Sequence, residues 1–260
     1  MTRIFSAFAS CLRSCALALL LLALASDLAF AGPPPEIFTS LEQPPTPDDV
    51  KAAVARGVTI FEFDLEKPGS EAAIAAVKAA KGIVTAYHIG GGGGRDWGSV
   101  RTGEWVRRYD SPRDFLALTA DVKQLVAFGA DAIHFDNTHR FSGRRLESIA
   151  NSIVAGGARF VAKNNPEKWN LVMQRRADLK PIYAVIEDAM FDASETQAAF
   201  GLHARGVPVY IIGFTKPLDP KTPALTDDYI RAYRDNNPWA ALLIIDDERA
   251  WDSRTGRFVR

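Results

Sequence analysis

Two acidic residues, Asp136 and Glu187, stand at the ends of short apolar segments, "AIHFD" (Ala132–Asp136) and "IYAVIE" (Ile182–Glu187). Carboxyl groups delivered from two sides of one cavity suit cleavage of a glycosidic bond: one attacks or stabilises the cationic sugar centre, and the other holds a proton for the leaving oxygen. If each segment is a strand, alternation puts Ala132, His134 and Asp136 on one face. It likewise groups Tyr183, Val185 and Glu187. Each acid alone also has a plain structural use, Asp136 as a cap and Glu187 as the partner of an arginine. Both together, at alternate strand ends, favour a site.

Further polar residues recur at such ends. Asp64 closes "VTIFEFD", Tyr87 and His88 close "IVTAYHI", and Asn137 follows Asp136. Lys163 and Asn164 end "RFVAK", Asp188 follows Glu187, and Asp246 and Asp247 follow "ALLII". The glycine run "GGGGGR" (Gly90–Arg95) lacks both the Walker pattern and the dinucleotide fingerprint, so it reads as a loop. Trp97, Trp105 and Tyr109 beyond it offer flat faces for stacking on sugars, or simply for packing. Of the four histidines, His134 and His139 are five residues apart, a poor fit to a one-face ligand pair, and no H-x-H pair is present. His134 is placed beside Asp136, where it would tune the charge of that acid, and His203 on a helix surface. No metal or other cofactor is expected. No serine sits in a nucleophile-elbow pattern, which argues against acyl transfer by a triad.

The elements that must position these residues alternate along the chain. Eight strands are expected, over residues 36–40, 58–64, 83–89, 132–136, 159–163, 182–187, 207–213 and 241–246. They are short, β-rich in composition and continuously apolar, as strands covered on both faces are. Helix starts lie between them at Thr46, Ser111, Asn165, Asp192 and Thr226, four of them followed by proline or acidic residues. Phe115, Leu118, Val122, Leu125 and Val126 keep the spacing of one apolar helix face. Eight strands with about seven helices point to a single-domain (β/α)8 TIM barrel, with a doubly wound open sheet as the alternative. A closing helix has only the 14 residues after Asp246 to form from.

The first 31 residues read as a secretory leader. Arg3 and Arg13 precede the apolar run "ALALLLLALA", and "AFA" ending at Ala31 supplies small residues for cleavage after that position. Residues 32–35 form a short proline-rich lead-in, and the domain spans 36–260. Both cysteines, Cys11 and Cys15, lie within the leader, so the core has to hold without disulfides. Basic and acidic residues balance at 31 each, which gives no reason to expect nucleic acid or an anionic membrane surface as partner. A secreted or periplasmic product without stable membrane insertion is expected, its oligomeric state unread.

"GADAIHFDN" (Gly129–Asn137), "VAKNN" (Val161–Asn165) and "YAVIED" (Tyr183–Asp188), with "FEFDLE" (Phe61–Glu66) and "GEW" (Gly103–Trp105), resemble glycoside hydrolase family 114, the endo-α-1,4-polygalactosaminidases. The resemblance runs from about Val58 to Phe214 and implies a (β/α)8 barrel acting on a polysaccharide of α-linked galactosamine or N-acetylgalactosamine. By that resemblance Asp136 is the nucleophile of a retaining mechanism and Glu187 the acid/base. Asp64, Lys163 and Asn164 then become substrate contacts, and Tyr87, His88, His134, Asn137, Asp188, Trp97 and Trp105 lie where further contacts are expected. The sequence departs from the family in three places. His134 stands where an acid is usual, a cysteine after the glutamate region is missing, and "IGF" (Ile212–Phe214) replaces a Glu-Tyr pair. Two alternatives follow, a retaining hydrolase of another polysaccharide and a glycan-binding barrel without turnover.

Overall fold

The computed structural model describes residues 34–40, 43–88, 112–136, 138, 141–187, 189–216, 223–245 and 256–259. Eight strands run parallel in sequence order: β1 (Ile37–Ser40), β2 (Ile60–Phe63), β3 (Ile83–His88), β4 (Ala132–Phe135), β5 (Arg159–Lys163), β6 (Ala184–Glu187), β7 (Val209–Phe214) and β8 (Ala241–Ile245). Seven α-helices are described between them: α1 (Pro47–Ala55), α2 (Ser70–Ala79), α3 (Pro112–Phe128), α4 (Gly143–Ala155), α5 (Pro166–Arg175), α6 (Ala193–His203) and α7 (Asp227–Asn236). This is the (β/α)8 architecture expected from the sequence. The chain also adds β9 (Gly256–Val259), which pairs antiparallel with β8 through Ile245 and Gly256. The residues after Asp246 thus contribute a strand where a closing helix was in question.

Strand parity divides the core. Phe61, Phe63, Ile133, Phe135, Phe160, Ile186 and Ile211 pack outward against the helices, with Leu118, Val122 and Leu125 of α3. Ile37, Ile60, Val161, Tyr183, Val185, Tyr210, Ile212 and Leu243 form a second cluster on the inner face. Ile37 therefore packs with residues from the far end of the strand order. The Tyr210 hydroxyl also donates to the Pro35 carbonyl at 2.5 Å, tying β7 to the start of β1 across the interior. With both faces of the sheet covered, the strands carry no polar outer stripe.

Local signals account for most helix starts. Thr46 forms a full capping box with Asp49, Asp192 accepts from the Ser194 and Glu195 amides, and the Thr226 side chain accepts from the Tyr229 amide. Ser142, which the sequence reading passed over, caps α4. Asn165 does not cap α5 with its side chain. It sits at φ 49°, as does Asn164, and its side-chain amide donates instead to the Thr138 carbonyl at 2.8 Å. Pro166 keeps the preceding residue out of the right-handed helical region, and asparagine tolerates the left-handed one. Ser111 lies outside the described residues.

Candidate active site at the carboxyl ends of the strands

β4, β5 and β6 bring three charged groups together. His134 pairs in register with Val161, so two residues further along both strands Asp136 comes level with Lys163. Lys163 pairs with Val185, and Glu187 lies two residues beyond it on the same face. The Lys163 ammonium is completely buried, 2.6 Å from Glu187 Oε1 and 3.6 Å from Asp136 Oδ1. Burial works against its charge, but Glu187 first and then Asp136 more than offset this, holding the ammonium above its ordinary pKa. Both carboxylates remain partly open to solvent, 28% of the Glu187 side chain and 15% of that of Asp136.

The two left-handed residues after β5 orient the neighbouring amide. Asn164 donates from Nδ2 to Glu187 Oε2 at 3.0 Å, and its Oδ1 accepts from the Glu187 backbone N–H at 2.9 Å. This two-point clasp fixes the amide's orientation, since exchanging its oxygen and nitrogen would lose both bonds. On the other side, the Tyr87 hydroxyl of β3 donates to Asp136 Oδ2 in a short hydrogen bond. Burial, followed by the charge and hydrogen bond of Asp136, pushes the Tyr87 phenol well above its usual pKa, so it stays a donor.

Below this rim lies a third acid, one that the sequence analysis did not single out. Glu62 on β2 accepts from Thr39 Oγ1 at 3.1 Å and from the Tyr183 hydroxyl at 2.7 Å, and pairs with His134 Nδ1 at 2.7 Å. Because a carboxylate only accepts, Nδ1 carries the proton of that bond. Burial would raise the Glu62 carboxyl, but the charge and hydrogen bond of His134 and the two hydroxyls outweigh it and hold it below the ordinary value. His134 thus binds Glu62 rather than Asp136, contrary to expectation. Its ring meets Tyr87 edge-on at 5.3 Å, and its Nε2 has no hydrogen-bond partner among the described residues. The signal for Glu62 was present in "IFEF", where alternation groups it with Ile60 and separates it from Phe61 and Phe63.

The other expected site residues are distributed as follows. Asp64 follows β2, but its carboxylate accepts from the Glu66 amide at 2.9 Å and so serves its own loop. His88 ends β3. Asn137, Asp188, Trp97 and Trp105 lie outside the described residues, as do Tyr109, His139, Asp246 and Asp247. Among the described residues no three His, Cys, Asp or Glu side chains converge as a metal site. None of the described helices is long and apolar enough to cross a membrane.

No protein-family model and no curated protein matches the chain. Among solved structures, the glycoside hydrolase domain of PelA from Pseudomonas aeruginosa aligns with a TM-score of 0.54 at 14% identity, over 81% of this chain and 94% of that one. A single-residue variant of the same domain gives 0.55 at 15%, with the same coverage. The chain shares the fold of a glycoside hydrolase domain. At such identity the likeness concerns the barrel, and what the site does has to be argued from its own groups.

Proposed function

We propose that this protein is a secreted glycoside hydrolase cleaving α-1,4-linked galactosamine or N-acetylgalactosamine polysaccharide, with Asp136 as nucleophile and Glu187 as acid/base. The observation that carries the reading is the convergence of both carboxylates on one buried ammonium at the carboxyl ends of β4, β5 and β6, where barrels of this kind hold their sites. Sums of the two contacts set a ceiling: the facing oxygens of Asp136 and Glu187 are no further apart than 2.6 Å and 3.6 Å laid end to end. The two facing oxygens are thus close enough to share one sugar ring between them, as a pair of glycosidase carboxyl groups must. The secretory reading rests on the basic, apolar and small-residue order of residues 1–31.

In the first step Asp136 attacks the anomeric carbon and forms a glycosyl ester, while Glu187 gives its proton to the departing glycosidic oxygen. In the second, Glu187 takes a proton from water, which attacks the same carbon and releases Asp136. Tyr87, donating to Asp136 Oδ2, turns that carboxylate so that Oδ1 is the oxygen beside Lys163 and nearer Glu187. A second reading, a glycan-binding barrel without turnover, draws on β7, whose end carries the glycine and buried phenylalanine of "IGF" instead of polar groups.

Reducing-end release from partly acetylated α-1,4-galactosaminoglycan separates the two. Wild-type release that falls about a hundredfold or more in both Asp136→Asn and Glu187→Gln supports the hydrolase. Binding without release by the wild type supports the alternative, and neither binding nor release removes this glycan as the substrate.

A further inference from the structure

We propose that Lys163 is a positioning residue whose ammonium moves between Glu187 and Asp136, and so sets which of the two carboxyl groups carries the proton. The inference rests on the two-carboxylate reading above and deepens it.

Both Glu187 oxygens face donor groups, Oε1 the Lys163 ammonium in an ion pair and Oε2 the Asn164 amide in a hydrogen bond. A carboxyl group that holds a proton has one oxygen that must donate, so one of these donors has to withdraw. Asn164 is not free to do so, because its Oδ1 is bound to the Glu187 backbone N–H. Lys163 has a flexible four-carbon stem and a second acceptor 3.6 Å away, Asp136 Oδ1. Its destination is therefore the nucleophile. Complete burial of the ammonium also keeps water from replacing either partner.

Charge balance follows the same path. Before reaction Asp136 is the anion, Glu187 carries the proton and Lys163 pairs with Asp136. When the glycosyl ester forms, Asp136 loses its charge, Glu187 has lost its proton, and Lys163 returns to Glu187. The three groups sum to zero in both states, with one proton leaving on the glycosidic oxygen and one returning from water. An ammonium fixed beside only one acid would stand apart from the charged acid in one of the two states, a separation that costs more because the ammonium itself is buried. Among the described residues Glu62, held by His134 and Tyr183, also acts on the ammonium, and the Tyr87 phenol binds Asp136.

The test is a pH titration of side-chain carboxyl 13C resonances in the glycan-free protein, comparing wild type with Lys163→Met, Lys163→Arg and Glu187→Gln. Two facing carboxylates without a cation share their first proton more tightly, so Lys163→Met should bind it about one pH unit higher or more. Lys163→Arg, which keeps the charge, should stay within about half a unit. In Glu187→Gln the ammonium belongs to Asp136 alone, and the remaining carboxylate should stay charged to a pH lower by roughly half a unit or more. A first protonation in Lys163→Met within about 0.3 unit of wild type overturns the proposal. If that variant does not fold, Glu187→Gln decides, and an unmoved Asp136 titration overturns it equally. The titration uses no glycan, so its failure is distinct from failure to cleave galactosaminoglycan. On cleaved substrate, the alkaline limb of kcat/KM should move with the titration, which a merely structural lysine would leave in place.

Discussion

Glu62 and Glu187 both project into the barrel from its strands, yet their surroundings differ in kind. Glu62 is only 5% exposed at its side chain and is held by His134, Tyr183 and Thr39, residues of three other strands or strand approaches. Glu187 is open to solvent over about a quarter of its side chain and shares its cation with a second acid. The first arrangement suits a carboxylate that keeps its charge at neutral pH: its three donors are themselves buried. The second suits one that gains and loses a proton, because one of its partners has somewhere else to go. A buried acid on a barrel's inner face is thus a framework part or a reactive part according to whether its donors are saturated and immobile.

Removing the framework acid should have the largest effect on stability. Glu62→Ala leaves His134, Tyr183 and Thr39 without their common acceptor, and urea unfolding should show a loss of about 3–5 kcal/mol. Glu187→Gln keeps the shape and part of the hydrogen bonding, leaves Lys163 paired with Asp136, and should cost under about 1 kcal/mol while lowering turnover about a hundredfold or more. Equal stability losses in the two variants would break the contrast.

Acid should reveal the same division. The Glu62 carboxyl is held below its ordinary value in the fold, so the unfolded chain takes up that proton first. Its contribution is present above roughly pH 4.3 and is lost as the pH falls through the folded value. Urea midpoints measured from pH 7 to 3 should therefore fall steeply in wild type and less so in Glu62→Gln. Lys163 has the opposite sign: raised in the fold, its contribution is complete below about pH 10.4 and is lost as the pH rises beyond its folded value.

Two smaller changes sharpen the picture at the rim. A Cβ at Gly213 of β7 would lie 2.4 Å from Leu225 Cδ1 and 2.8 Å from Met190 Sδ. Gly213→Ala should cost about 1–3 kcal/mol and disturb the turn Ala189–Phe191 just after Glu187, readable as a lowered melting temperature with reduced activity. Tyr87→Phe removes one hydrogen bond from Asp136 and should cost about 1 kcal/mol of stability, with a loss in kcat of roughly tenfold.

Much of the barrel was legible because short apolar strands with polar ends announce themselves one at a time. Parity grouped Asp136 with His134 and Glu187 with Val185, and the structure turns these faces toward the interior. The network around them was not legible in the same way. Lys163 meets both acids only because β5 lies between β4 and β6 at one particular register, which no single segment encodes. Glu62 was hidden by its neighbour: Asp64 at the strand's end drew the reading, although it binds its own loop, while the acid inside the strand holds the interior together. Asn165 carried the pattern of a cap before proline, but two successive left-handed residues turn its side chain to Thr138 instead. β9 went unforeseen because its pairing depends on the edge that β8 presents to it, a feature of the finished sheet.

The most direct test is the anomeric configuration of the first product, followed by 1H NMR as the protein acts on an α-1,4-galactosaminoglycan. A nucleophilic Asp136 with Glu187 as acid/base releases the α anomer first, the β form appearing only as the product mutarotates. A β anomer at the outset, or no new reducing end at all, contradicts it.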